Sequence, residues 1–339
     1  MAQGLNRQIT LTSFPQGEPT PANFAAVESP IPEPGAGQLL LRNKYLSLDP
    51  YMRGRMSTAR SYAKGFEIGQ TLGGGTVSEV VASNNPSFAP GDLVLAAGGW
   101  QDYALSGGEG LIRIDAALAP VTTALGVLGM PGMTAYTGLA NIGNPKPGET
   151  VVVAAAAGPV GETVDQIAKL QGCRAVGIAA GNKLDYLREE FGFDAALDRR
   201  SPDLKDELRE ACPLGVDIYF ENVGGVVWEA VLPLLNDFAR VPVCGLIAHY
   251  NDTQLPPGPD RMSLLMRMIL TRRLRIQGFI VSDFASQRGD FLREVGAWVG
   301  EGKIKYREHI VDGLEKAPEA FIKLLRGDNF GKMIVRIAD

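Results

Sequence analysis

Ala155, Gly158 and Gly161 stand at an A-x-x-G-x-x-G spacing inside VVVAAAAGPVGETVDQIAKL, residues 151–170. Three β-branched residues and an alanine run lead into the two glycines, and apolar positions at helical spacing follow (Val160, Val164, Ile167, Ala168). The pattern predicts a strand, a tight turn and a helix. Such a turn aims unpaired backbone N–H groups, at the positive end of a helix dipole, toward the pyrophosphate of a dinucleotide. Ala157, Gly158, Pro159, Val160 and Gly161 are the residues that would line it, and the small residues of the spacing let the backbone approach the phosphates. A second apolar strand, RAVGI at 174–178, completes a β-α-β unit. At its end an NAD site would carry Asp or Glu for the ribose 2′-hydroxyl. Here stand Ala179, Ala180 and Gly181, then Lys183. An acid would repel a 2′-phosphate and a lysine attracts it, so the loop points to NADPH. Asp185, two residues past Lys183 on a helix, faces elsewhere.

The surrounding elements alternate. A helix is expected over 183–191, a short strand over 195–197, and then a helix with Ser201 as N-cap and Pro202 at its first position. Residues 216–220 read as a strand, followed by ENVGG (221–225) and a helix to about 235. The next strand is placed at 240–244, the last at 275–279, and an amphipathic helix at 286–300. Alternating strands and helices make a parallel, doubly wound sheet whose ligand crevice lies beyond the carboxyl ends of the strands. That puts residues 155–158, Lys183, Asn222, the stretch from Gly245 to Tyr250 and the stretch from Phe279 through Val281 to Asp283 on one rim. The first part of the chain has a different texture. A strand at 8–11 precedes a proline-rich segment, and short strands at 38–45, 73–81, 92–96 and 100–104 suggest a small, partly closed barrel. From Leu125 the sequence turns to Gly, Ala and Met, with helical spacing over 134–139, so a domain boundary falls near there.

Composition fits a two-domain protein of 339 residues, 45% hydrophobic and 21% charged. No apolar run approaches the ~18 residues of a membrane span, and no segment pairs a basic start with an apolar core, so a cytoplasmic location is expected. Cys173, Cys212 and Cys244 are too far apart for a disulfide framework or a zinc cluster. A net charge of −5 without a basic cluster argues against nucleic acid.

Several stretches carry a further resemblance: LSLDPYMRGRM (46–56), GGWQDY (98–103), GVLGMPGMTAY (126–136), AAAAGPVG (154–161), ENVGG (221–225), VCGLIAHYN (243–251), LPPGPD (255–260) and GDNFGK (327–332). With these the chain resembles the zinc-free medium-chain dehydrogenase/reductases. Within them it is similar to the NADPH-dependent alkenal/one reductases, including prostaglandin reductases and, most of all, bacterial curcumin reductases. The resemblance implies an α/β architecture, with residues 1–125 and 310–339 forming a GroES-like catalytic domain, a partly closed β-barrel. Residues 126–309 would be a Rossmann NADPH-binding domain. It also implies that Lys183 and Arg199 contact the 2′-phosphate, and that Asn222, Tyr250 and Asn329 lie along the cofactor, together with Cys244, Gly245, Phe279 and Val281. Tyr is frequent in the family where this chain has Arg199, and a guanidinium can hold a phosphate bidentately. Two other departures are Glu162, where a small residue is usual, and Asp165 in place of Gly. Glu162 suits the helix dipole; Asp165 requires a shifted helix or a partner for its carboxylate.

Zinc-dependent relatives use Cys and His ligands in the barrel domain, and this chain has neither before Cys173. Tyrosine hydroxyls and the cofactor ribose then remain to polarise a substrate, which favours reduction of an activated C=C bond over alcohol oxidation. Tyr250, Tyr51 and Tyr62 are the catalytic candidates: Tyr250 as proton donor or cofactor positioner, Tyr51 as a substrate-side wall, Tyr62 on a covering loop. His249 reads as a specificity or surface residue. The expected activity is hydride delivery from NADPH to the β-carbon of an enone or enal. A quinone reductase on the same fold and a nucleotide-binding protein without turnover are the alternatives. Pairing of the 275–279 edge strand predicts a homodimer, unless Arg272, Arg273 and Arg275 shield that edge.

Overall fold

The computed structural model describes residues 4–254 and 258–338, so residues 255–257 of the LPPGPD stretch lie outside the described residues. The chain divides into two compact units, one running to Gly126 and resuming at Glu308, the other spanning Val127–Arg307.

The second unit is built on six strands. In spatial order they are Ala195–Asp198, Arg174–Ala179, Thr150–Ala154, Val216–Phe220, Leu235–Val243 and Arg275–Gly278. Every neighbouring pair is parallel. Sequence order reverses between Thr150–Ala154 and Val216–Phe220, the switch point at which a doubly wound sheet opens a crevice. All five residues of Thr150–Ala154 are buried, as a parallel strand covered on both faces requires. Ala155 then takes a φ of 54° and the chain enters the helix Pro159–Leu170. Gly161 lets that helix sit on the turn: a methyl there would lie 2.5 Å from the Ala155 carbonyl oxygen. On the same helix Gln166 exchanges two hydrogen bonds with the backbone of Lys305, each 2.8 Å.

Several boundaries differ from the sequence expectation. Ser201 is not an N-cap. The helix starts at Leu204 after Asp203, and the Ser201 hydroxyl instead accepts the Asp203 N–H at 3.2 Å and meets Glu207 at 2.7 Å, so it organises the turn before the helix. The strand placed at 240–244 begins at Leu235. Pro233 sits in a single 3₁₀ turn that closes the preceding helix at Val231, and Leu235 pairs at once with Val216. A register shift follows, with Phe238 at a φ of 63° and 62% exposed. This bulge disguises the start of the strand. The amphipathic helix is Arg288–Gly300, and its expected first residues form the 3₁₀ stretch Val281–Gln287.

The first unit joins the two-stranded sheet Leu5–Leu11 and Phe24–Pro30 to a larger one. The larger sheet runs Glu308–Asp312, Lys332–Arg336, Leu39–Ser47, Thr76–Ser83, Leu93–Ala96 and Ile112–Arg113, with Tyr103–Ser106 also on Leu39–Ser47. Phe24–Pro30 emerges from the proline-rich segment. Trp100, expected in a strand, lies in the turn before Tyr103–Ser106. It is fully buried, stacked on Phe24 (6.1 Å) and edge-on to Phe321 (5.8 Å). The C-terminal stretch returns to this unit: Ile334, Val335 and Arg336 pair antiparallel with Ser47, Leu46 and Tyr45.

Candidate functional site

In the second unit the candidate residues follow the carboxyl ends of the strands. After Ala154 the backbone turns sharply, with the Gly158 N–H bonded to the Ala155 carbonyl at 2.9 Å. The first bond inside the helix is Glu162 N–H to Gly158 at 2.9 Å, so Val160 and Gly161 present N–H groups ahead of it. Ala157 is buried, and Gly158, Pro159 and Val160 are half-buried. Ala155, Gly158 and Gly161 leave no bulk over the turn, and the helix dipole adds positive potential. This arrangement fits a pyrophosphate.

Beyond Ala179 the loop Gly181–Lys183 forms one 3₁₀ turn, and Lys183 is only 7% exposed. The Arg199 N–H bonds the Ala179 carbonyl at 2.8 Å, which sets the root of that side chain at the end of the same strand. The structure therefore roots both cations at adjoining strand ends. It also shows an acid that the sequence reading passed over. A methyl on Gly181 would collide with Asp198 Oδ2, so the Asp198 carboxylate packs on the loop backbone. Its other oxygen accepts the Arg200 N–H at 3.0 Å.

At the switch point, the Asn222 side-chain amide donates to the Ala154 carbonyl at 2.8 Å and ties the two central strands together at their ends. Its neighbour Glu221, 2% exposed, is the residue that spacing did not single out. Glu221 Oε1 accepts the Tyr219 hydroxyl (3.0 Å) and the N–H groups of Val223 (2.7 Å) and Gly224 (2.9 Å). Burial still pushes its carboxyl above the usual range, against the pull of these donors. An acid directly before N-V-G-G was the available signal: the next N–H groups fold back onto its side chain.

Cys244 is half-buried, and burial, with the Glu221 charge behind it, pushes its thiol up to about 12, which disfavours the thiolate. Gly245 makes room for Tyr250: a methyl there would lie 3.1 Å from the phenol oxygen, which meets the Leu246 N–H at 3.4 Å. His249 bonds Asp252 at 2.8 Å and covers Gly224, whose φ is 78°. Phe279 is 6% exposed and turns its ring against Phe220 at a right angle, so its side chain belongs to the core and only its backbone borders the rim. Val281 opens the following 3₁₀ stretch, half-buried.

Asp165 lies in the same helix as the turn. Among the described residues its carboxylate finds no hydrogen-bond partner: it is fully buried with neither oxygen hydrogen-bonded. Burial holds its carboxyl well above the usual range, so it is the neutral acid that is buried. Glu162 is also buried and accepts the Arg307 N–H at 3.4 Å, a structural link in place of a small residue.

Tyr51, Tyr62 and Asn329 belong to the first unit. Tyr51 opens the helix Tyr51–Arg55 and packs on the barrel core. Burial, then the nearby Asp49 charge, pushes its phenol up to about 12. Tyr62 is 65% exposed on the loop after that helix. Asn329, 7% exposed, donates to the Gly331 carbonyl at 2.7 Å.

Comparison with known proteins covers both units. Residues 7–114 match the N-terminal domain of oxidoreductases and residues 159–297 the zinc-binding dehydrogenase family. The chain is 56% identical to the NADPH-dependent curcumin reductase of Escherichia coli, over 98% of this chain and 97% of that protein. It is 42% identical to prostaglandin reductase 1 of Rattus norvegicus, over 96% and 98%. The crystal structure of CurA in complex with NADPH from Vibrio vulnificus superposes with a TM-score of 0.96 at 53% identity, covering 98% of this chain and 99% of that one. The chain belongs to the medium-chain dehydrogenase/reductases, in the branch of the curcumin and prostaglandin reductases.

Proposed function

We propose that this protein reduces the C=C bond of α,β-unsaturated ketones and aldehydes at the expense of NADPH. The observation that carries the reading is end-to-end similarity to a curcumin reductase, joined to a phosphate turn whose following strand ends without an acid. NADPH, when bound, supplies the hydride that reaches the substrate β-carbon. The chain supplies the rest. The N–H groups of Val160 and Gly161, in the turn that Ala157, Gly158 and Pro159 shape, would hold the pyrophosphate, with Lys183 and Arg199 on the 2′-phosphate. Asn222, Cys244, Gly245, Tyr250, Phe279, Val281 and Asn329 would line the remainder of the cofactor. As hydride arrives at the β-carbon, the carbonyl oxygen gains charge, and the enolate would then take a proton from water at its α-carbon. Tyr250, Tyr51 and Tyr62 are the hydroxyls we assign to that oxygen, where a donor stabilises developing charge without itself ionising.

In this reading the unit containing the N-terminal strands is the catalytic domain and Val127–Arg307 the NADPH-binding domain. We also infer a homodimer acting in the cytoplasm. Arg275–Gly278 is an edge strand, and the helix Met262–Arg272 exposes Met262, Leu264, Met266 and Leu270. The arginines expected to shield that edge are engaged within their own chain: Arg272 on the Pro233 and Leu235 carbonyls, Arg273 on Asp237, Arg275 on Gln277. The deciding experiment follows NADPH oxidation with a simple enone, an enal and a quinone, and identifies the product. A saturated ketone or aldehyde with the carbonyl intact is expected. Turnover of the quinone alone, or of no acceptor despite NADPH binding, would reject the proposal.

A further inference from the structure

Lys332 is 2% exposed, yet it carries a charge in the core of the first unit. Its three ammonium protons have three acceptors: the Leu48 carbonyl (2.7 Å), Asp49 Oδ1 (3.1 Å) and its neighbour's carbonyl at Met333 (3.1 Å). Asp49, 5% exposed, receives the Ser47 hydroxyl on its other oxygen. Glu308, bonded to Thr122, also faces the ammonium. Asp49 stands two residues before Tyr51, and its carbonyl accepts the Met52 N–H at 3.0 Å, the bond that starts the helix Tyr51–Arg55. The Leu48 N–H meets the Met333 carbonyl at 3.2 Å. The C-terminal strand thus grips residues 48 and 49 from both backbone and side chain.

A buried ion pair contributes little net stability compared with apolar residues of like volume, whereas its geometry is specific. A helix of five residues has too few internal bonds to hold itself. What the pair adds here is therefore direction. We propose that Asp49 and Lys332 are positioning residues, which fix the start of the helix Tyr51–Arg55 and so the angle at which the Tyr51 hydroxyl is offered to the substrate carbonyl. The Asp49 charge acts in the same sense, since it opposes ionisation of Tyr51 and keeps it a donor. This rests on the reading of Tyr51 as a residue facing the enone.

The test is a double-mutant cycle in the full chain. Asp49→Asn/Lys332→Met removes both partners of the pair together, and Glu308, whose carboxyl burial already raises, keeps its Thr122 hydrogen bond. It is assayed with NADPH and a simple enone, in the Tyr51 protein and in Tyr51→Phe. About a tenfold loss of kcat/KM for the enone is expected with Tyr51 present, and less than about twofold in the Tyr51→Phe background, with the KM for NADPH unchanged throughout. Should the double variant fail to fold, Ser47→Ala, which removes only the hydroxyl on Asp49, is read in the same cycle. Equal losses in both backgrounds overturn the proposal, as does full activity of Tyr51→Phe. Wild-type protein that turns over no enone defeats the function proposed above instead, so the two failures are distinguishable.

Discussion

In the proposed reading Lys183 and Arg199 carry the cofactor choice, and their strand-end roots make it testable one side chain at a time. A charge-assisted contact is worth roughly 1.5–3 kcal/mol, or about tenfold and more in affinity. Lys183→Ala and Arg199→Ala should each raise the KM for NADPH by about that factor and leave NADH nearly unaffected. Equal use of both cofactors by the wild type would contradict this. The sequence showed the cations and the missing acid at 179–180, but not Asp198 folded onto Gly181, because that contact depends on the pairing of two strands. Asp165 was visible only as an oddity. Its carboxyl is held above the ordinary 3.8 by burial, so the unfolded chain ionises first. The sign follows: the stability tied to its neutral form is fully present below pH 3.8 and is lost as pH rises toward the higher folded value. Asp165→Asn, which cannot ionise, should therefore stabilise the protein by roughly 1–3 kcal/mol at neutral pH. Denaturant midpoints compared at pH 7 and near pH 4 would show that gain shrinking in acid; no gain at pH 7 would refute it.

Among the elements, the strand Thr150–Ala154, its turn and its helix were legible because local rules agree there: β-branched residues, small residues at the turn, apolar spacing after it. Gly161→Ala tests the packing that the turn requires. A methyl 2.5 Å from the Ala155 carbonyl forces the helix off the turn. NADPH binding, followed by quenching of protein fluorescence, should weaken at least about tenfold while the circular dichroism stays native. Unchanged binding would show that the turn does not hold the cofactor. Other elements hid for stated physical reasons. The bulge at Phe238 breaks the alternation that would have announced the strand at Leu235. Trp100 has a strand former's side chain in a turn, placed there by its aromatic partners Phe24 and Phe321. The C-terminal strand Lys332–Arg336 leaves no local sign of its partner, since pairing across nearly the whole chain has no short-range signature. The family resemblance, not the texture, implied its return.

For the whole molecule, the proposed dimer would use the exposed side chains of the helix Met262–Arg272 and the edge strand Arg275–Gly278. Light scattering at micromolar concentration should give twice the chain mass of 36.2 kDa, and Met266→Glu with Leu270→Glu should shift it toward the monomer. A wild-type monomer would end that reading. The division of the chain also sets an order of birth. On the ribosome the parallel sheet is contiguous, from Val127 to Arg307, and all six of its strands emerge before Lys332–Arg336 does. The barrel cannot close so early. Residues 45–47 of the strand Leu39–Ser47 must wait for Ile334, Val335 and Arg336, which leave the exit tunnel almost three hundred residues later. Until then the N-terminal sheet has an open edge at residues 45–47, the condition under which nascent chains pair with one another. The younger part of the polypeptide thus shelters the older, and any delay in making Lys332–Arg336 would prolong the exposure of residues made long before.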